Sequence, residues 1–388
     1  MRMPLYLLSV GMFALGLDAY VVAGLLPDIA QTFATTPAAA GLAVAAFTAS
    51  YALSAPVFAT ALAGRPARSV LSAALAIFVL ANAASALAPT FELFLVARAA
   101  AGAGAGLYSP LAAASAAFLV ENQRRGRMLG FILGGMSLGT VIGVPSGLLI
   151  AEQLGWQATL WFVSVLGAIA LAGLRVFFPS ITPPPPPSLA ERIALLRQPT
   201  ILAVVAVTFL ISVASLGLYT FVAPLLAEAG HAGSMPTFLW AWGLGGIAGS
   251  FSVGHLIDRV RNGRPVIAAL TIVLALTFAV LPAALQVGFV AVVPFFVWGM
   301  LGWASQAPQQ HSLIEDHPNH GAAAVALNSS ANYLGSAVGA LAGSFLLTHL
   351  AAPHMLPLAA AGCVLAALVI HLAMMAIRRE MMNEEIGR

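Results

Sequence analysis

The sequence contains no lysine and a single cysteine, and only 7% of its 388 residues are charged. One cysteine excludes an intrachain disulfide. Cys363 lies in an apolar run, where it reads as a small buried hydrophobe with no redox role. So little charge, set against 61% hydrophobic residues and a mean hydropathy of +0.97, excludes an ordinary soluble globular chain. Nucleic-acid binding is excluded in turn, because the pI near 9.4 comes from arginines in short clusters between apolar stretches, not from a basic face. Enzyme motifs are lacking as well: no nucleophile triad is visible, and the glycines at 102, 104 and 106 have neither the strand nor the lysine of a phosphate loop.

What is present is a succession of uncharged apolar segments, each about long enough to cross a bilayer core as a helix. The pattern predicts spans at 4–26, 38–62, 69–88, 91–115, 127–151 and 156–178, then at 201–226, 236–254, 266–286, 288–308, 322–348 and 355–377. The N-terminal run passes Asp18 without a break and is too long for a signal-peptide core, so it is retained as the first span. Between the two sets of six lies Pro183 to Pro187, a stiff non-helical spacer, and then Ser188-Leu189-Ala190-Glu191, a capping box that starts a short amphipathic helix with Arg192 and Arg197. The organisation is therefore an N-terminal domain over 1–178, a linker over 179–200 and a C-terminal domain over 201–388.

With lysine absent, every fixed positive charge can be followed. Arg2, Arg65, Arg68, Arg124, Arg125, Arg127, Arg175, Arg192, Arg197, Arg259, Arg261, Arg264, Arg378, Arg379 and Arg388 fall on one side of this arrangement, while the opposite connections carry Asp28, Glu92, Glu152 and Glu228. The positive-inside rule then places both termini and the linker in the cytoplasm. Arg98 is the exception, because it opens the fourth span. It shares the apolar interior of the first half with Asp18, and an ionisable group at such depth is a functional candidate. Burial favours the neutral acid and a nearby guanidinium favours the carboxylate, so a change of conformation could tip Asp18 between them. A static ion pair holding helices together is the structural alternative.

The fifth span holds a glycine ladder: Gly135, Gly139 and Gly143, then Val144-Pro145-Ser146-Gly147, with Gly155-Trp156-Gln157-Ala158 beyond it. Residues four apart share a helix face, so these glycines clear a stripe along which another helix can approach closely, and Pro145 bends the helix. The whole phrase resembles the fifth-helix antiporter signature of the major facilitator superfamily, in the drug:proton antiporter branch that includes arabinose-type sugar efflux and chloramphenicol export permeases. Other stretches are similar to the same family. Arg98, Gly102, Gly104 and Gly106 match its RxxxGxGxG fourth-helix motif, with Ala101 where a glutamine is common. The first span ends in the branch's AGLLPDIA, although the family's acid often lies one residue later, at the position of Ala19. The segments at 60–68 and 254–264 resemble its cytoplasmic GxxxDRxGR loop at equivalent places in the two halves, with Gly64 in place of the acid in the first copy.

The resemblance implies an all-α membrane protein of the major facilitator fold, with about twelve transmembrane helices in two pseudo-symmetric six-helix domains. It implies a secondary active transporter in a bacterial-type inner membrane, working as a monomer without a cofactor and drawing on the proton gradient to export a drug, sugar or metabolite. Asp18 would carry the proton and Arg98 would tune it. The Gly135 to Gly147 helix would limit leak and form the domain contact, and Arg65, Arg68, Asp258, Arg259 and Arg264 would latch the cytoplasmic side. Candidate cavity groups are Tyr20, Tyr108, Ser109, Tyr219, Gln306, Asn328 and Asn332; the last two lie four apart on one helix face, where amides in lipid need partners. His311, Glu315, Asp316, His317 and His320 read as a solvated loop without a metal-binding signature. An importer would share the fold, and a non-transporting sensor or accessory subunit is the reading from another class.

Overall fold

The computed structural model describes residues 2–386 apart from 63, 122–123, 183–187, 261–262, 318–319 and 351, and it describes no side chain at 2, 59–60, 126, 258, 322 and 379–386. Among the described residues the chain forms helices joined by short connections, with no strand. The first half comprises α1 (Arg2–Thr32), α2 (Pro37–Ala40) running into α3 (Leu42–Ala61), α4 (Ala67–Ala86), α5 (Phe91–Phe118), α6 (Arg125–Leu138) with α7 (Val144–Leu154), and α8 (Trp156–Phe177). After the linker helix α9 (Leu189–Leu195), the second half comprises α10 (Pro199–Thr220) with α11 (Val222–Glu228), α12 (Met235–Val260), α13 (Gly263–Gln286), α14 (Val292–Ala304) with α15 (Gln306–Asp316), α16 (Gly321–His349) and α17 (Leu356–Ile386). That is six passages per half, as the hydropathy pattern predicts. Among the described residues, nine helical segments meet the length and apolarity needed to cross a membrane.

Several helices run past the predicted ends. α1 continues through Pro27 to Thr32, where the Thr32 hydroxyl donates to the Asp28 carbonyl at 2.9 Å. The expected capping box at α9 is present, with Ser188 and Glu191 each accepting from the other's backbone N–H. The polyproline spacer Pro183 to Pro187 lies outside the described residues.

Three passages are interrupted just upstream of a proline. A proline inside a helix removes an N–H and drives its ring against the carbonyl four residues back. In the fifth passage that carbonyl belongs to Val141, upstream of Pro145, and it lies in a π turn at Gly139–Gly143. Pro224 follows the break at Phe221, and Pro308 follows the break at Ser305. The predicted bend at Pro145 thus takes the form of a widened turn, and two further prolines follow single-residue breaks.

Glycines then set the spacing between helices. A side chain at Gly139 would meet the Phe13 carbonyl at 2.1 Å, and one at Gly16 would meet the Met136 carbonyl at 2.1 Å, so the backbones of α1 and α6 lie in direct contact. The glycine ladder and the domain contact lie on different faces of this passage. The ladder of Gly135, Gly139 and Gly143 faces α1 within its own half, and Gly147 faces Val21 and Thr159. The contact with the other half is made by a different face of the same passage, through Val141 against Gly243 and Met136 near Tyr333.

The halves meet at the centre and toward the end of the bundle away from the termini. Tyr51 stacks on Tyr333 at 3.7 Å between ring centroids, Tyr20 meets Tyr219 and Trp242 at 5.5 and 5.7 Å, and Gly41 approaches the Phe221 ring. Toward the termini, Gly130, Gly134 and Gly254 face open space. Gly139→Val should therefore lower stability by about 1–3 kcal/mol or prevent folding, because the added carbons overlap a carbonyl that cannot move aside. Gly134→Ala should be neutral or slightly stabilising. Thermal unfolding of the two purified variants checks the contrast.

Candidate functional site

The interior of the first half holds one charged cluster. Asp18 on α1 and Arg98 on α5 are 0% and 1% exposed, and Arg98 donates to Asp18 Oδ1 at 2.9 Å. Asn82 on α4 completes the group. Its amide nitrogen donates to Asp18 Oδ2 at 3.1 Å and to the Phe78 carbonyl at 3.1 Å, while its oxygen accepts from Arg98 at 2.9 Å. The guanidinium also lies over the Phe47 ring, 4.8 Å from its centroid.

The fourth-helix glycines explain how three helices converge here. Side chains at Gly102 and Gly106 would strike the backbone of α3 at Phe47 and Tyr51, and one at Gly104 would strike α4 at Ala74 and Phe78. With that face cleared, α4 comes near enough for Asn82, one turn beyond Phe78, to reach Arg98. Taking two charges out of water is unfavourable by several kcal/mol each, and their attraction offsets this only when the remaining polar atoms are also bonded. Asn82 supplies part of that bonding, and Arg98 Nε is left without a hydrogen-bond partner among the described residues. The sequence offered a weak signal for it, an amide inside a predicted span; a search for charge passes it by.

The expected cavity residues divide. Tyr20, Ser109, Gln306 and Asn332 are partly exposed, while Tyr219 and Asn328 are buried. Ser109 and Tyr333 both hydrogen-bond with Tyr51, so Ser109 lies beside the central contact between the halves. Tyr108 does not belong to a cavity. It is fully buried against Gly11 with its hydroxyl on the Leu8 carbonyl, because the small side of α1 opens there.

The second half has amides where the first has charge. The Thr208 hydroxyl lies between Gln309 and the Asn328 oxygen, the latter at 2.6 Å. Asn332 accepts from Ser212 and from the Gln306 amide at 2.9 Å. Asn328 and Asn332 do share a face of α16, turned to α10, and the ladder ties α10, α15 and α16 together. Gln309 was missed by the sequence reading, although it follows Gln306 at helical spacing on the same face.

The segment read as a solvated loop is mostly helical. α15 extends to Asp316, whose carboxylate pairs with Arg264 at 2.6 Å and Arg378 at 2.9 Å and so ties its end to α13 and α17. His311 pairs with Glu315 at 3.6 Å, and His317 meets Thr200. Arg68 donates to the Arg175 carbonyl within its own half. Arg264 thus staples one half internally, Arg65 and Arg259 are exposed, and the side chain of Asp258 lies outside the described residues. At the opposite end, His354 donates through its backbone N–H to Glu228 at 2.7 Å.

Comparison with known proteins matches residues 8–340 to the family described as the Major Facilitator Superfamily. The chain is similar to the inner membrane transport protein YdhP of Escherichia coli (strain K12), 27% identical over 97% of this chain and 96% of that protein. It is 33% identical to a chloramphenicol resistance protein of Streptomyces lividans over 67% of this chain and 68% of that one. Among solved structures, a partially occluded inward open conformation of the xylose transporter XylE from E. coli superimposes with a TM-score of 0.75 at 16% identity, covering 96% and 98% of the two chains.

Breaking the buried pair from one side should be far worse than removing it whole. Arg98→Met leaves the Asp18 carboxylate uncompensated and should lower stability by about 3–5 kcal/mol. Asp18→Asn combined with Arg98→Met should recover most of that loss, as read by thermal unfolding of the single and double variants.

Proposed function

The chain belongs to the Major Facilitator Superfamily and is a multi-pass membrane transporter of small solutes; from that premise we propose that it exports a small organic molecule from the cytoplasm in exchange for protons. The reading rests above all on the sealed Asp18, Asn82 and Arg98 cluster, an ionisable group held inside a span with a partner that can let it go. The antiporter-like phrase of the fifth passage and the likeness to a chloramphenicol resistance protein support the outward direction.

In this scheme the arrangement described above is the state open to the cytoplasm, the side on which the positive-inside rule puts the termini. A solute enters between the halves beside Tyr20, Ser109, Gln306 and Asn332. Outward opening requires Tyr51 to leave Tyr333 and Tyr20 to leave Tyr219 and Trp242. A proton arriving from outside then neutralises Asp18, weakens its hold on Arg98 and favours return to the inward state, where the proton is released. Close contact between α1 and α6 keeps water from bypassing the cycle. The protein acts as a monomer in the cytoplasmic membrane, with the proton gradient as its energy source.

Everted vesicles with an energised proton gradient test this. Chloramphenicol, arabinose or another drug or sugar from a panel should dissipate the gradient through the native protein, and Asp18→Asn should abolish the response. An equal response from native protein and variant would make Asp18 structural. A compound carried without any proton movement would indicate a facilitator.

A further inference from the structure

We infer that Asn82 is the positioning residue of proton coupling: it directs the incoming proton to Oδ2 of Asp18 while its own oxygen holds Arg98 in place. The inference rests on the export reading above and is carried by the directions of four hydrogen bonds. The Phe78 carbonyl can only accept, so the Asn82 amide nitrogen must face it, at 3.1 Å. That nitrogen's second hydrogen goes to Asp18 Oδ2, and the amide oxygen is left to accept from Arg98. The same guanidinium nitrogen donates to Asp18 Oδ1, so both of its hydrogens are engaged as well.

The two carboxylate oxygens are therefore unequal. Oδ1 faces a cation and Oδ2 a neutral amide, and a bond to a charged donor is the stronger of the two. A proton settles on Oδ2. The new O–H turns away from the Asn82 N–H, which the Phe78 carbonyl holds in place, and the bond between Asn82 and the acid weakens. One proton thus deprives the guanidinium of the negative charge and leaves it the amide acceptor alone, and the proton leaves Oδ2 when the original bonds re-form.

Among the described residues no other charge competes at this point. From the helices packed on α1, Arg98 is the charged group facing Asp18, and the other acids and arginines of those helices stand at or near their ends. Of the tyrosines, Tyr108 donates to the Leu8 carbonyl, Tyr51 is engaged with Tyr333, and Tyr20 and Tyr219 face each other.

The test is an infrared titration of the full-length protein in lipid. It follows the carboxyl C=O band that Asp18→Asn abolishes. In Asn82→Leu the midpoint of that band should move up by about one pH unit or more, because the carboxylate loses a hydrogen bond that favours it. Asn82→Asp has the same shape and cannot donate, so two acids share one guanidinium and the band should appear in two steps. An unmoved midpoint in a folded Asn82→Leu overturns the inference. If that variant fails to fold, a single unshifted step in Asn82→Asp overturns it instead. Absence of the band from the native protein at every accessible pH overturns the export reading and this inference together, whereas a native band indifferent to Asn82 overturns this inference alone.

Discussion

A carboxylate and a guanidinium survive in a low-dielectric interior only if each answers the other, and the first half of this protein is built around that constraint. Asp18 and Arg98 sit on different helices, so those helices must come close and stay close. The glycines at 102, 104 and 106 allow α3 and α4 to close on α5, and Gly16 and Gly139 allow α6 to close on α1. The second half carries no such pair. It joins α10, α15 and α16 with hydroxyls and amides, which need no counter-charge and bind the helices without a titrating group.

Each half is thus held together from within, while the seam between them is mostly aromatic and small. Rings slide and separate without stranding buried charge, which suits a surface that must open and close. The ion pairs at the bundle ends follow the same division, since Arg264, Asp316 and Arg378 belong to one half and so do Glu228 and His354. Proline adds local give. At the three passages broken upstream of a proline the backbone has already lost a hydrogen bond, so a change of direction costs least there.

Much of this was legible in the sequence because the signals are long or chemically unambiguous. Twelve passages follow from hydropathy over twenty-residue stretches, and the Asp18 and Arg98 pair follows from the rarity of charge inside them. The partners of the glycine ladder were not legible. Gly135 to Gly143 announce a close approach but do not say to which helix, and the answer is α1, not the opposite half. Neutral groups were the other blind spot: Asn82 and Gln309 stand out only once distances are known. Tyr108 misled for the reverse reason, since a tyrosine near the middle of a span suits a cavity and a packed core equally well. The acid of Asp316 looked like part of a solvated loop because its two arginines lie 52 and 62 residues away.

The account's central claim is that solute and proton move in opposite directions through one cycle. Proteoliposomes loaded with a carried compound and diluted into compound-free buffer, with equal pH on both sides and the membrane potential clamped, test it most directly. Downhill exit of the compound should acidify the lumen as protons enter against no prior gradient. Exit at the same rate with the luminal pH unchanged would contradict the coupling and leave a facilitator.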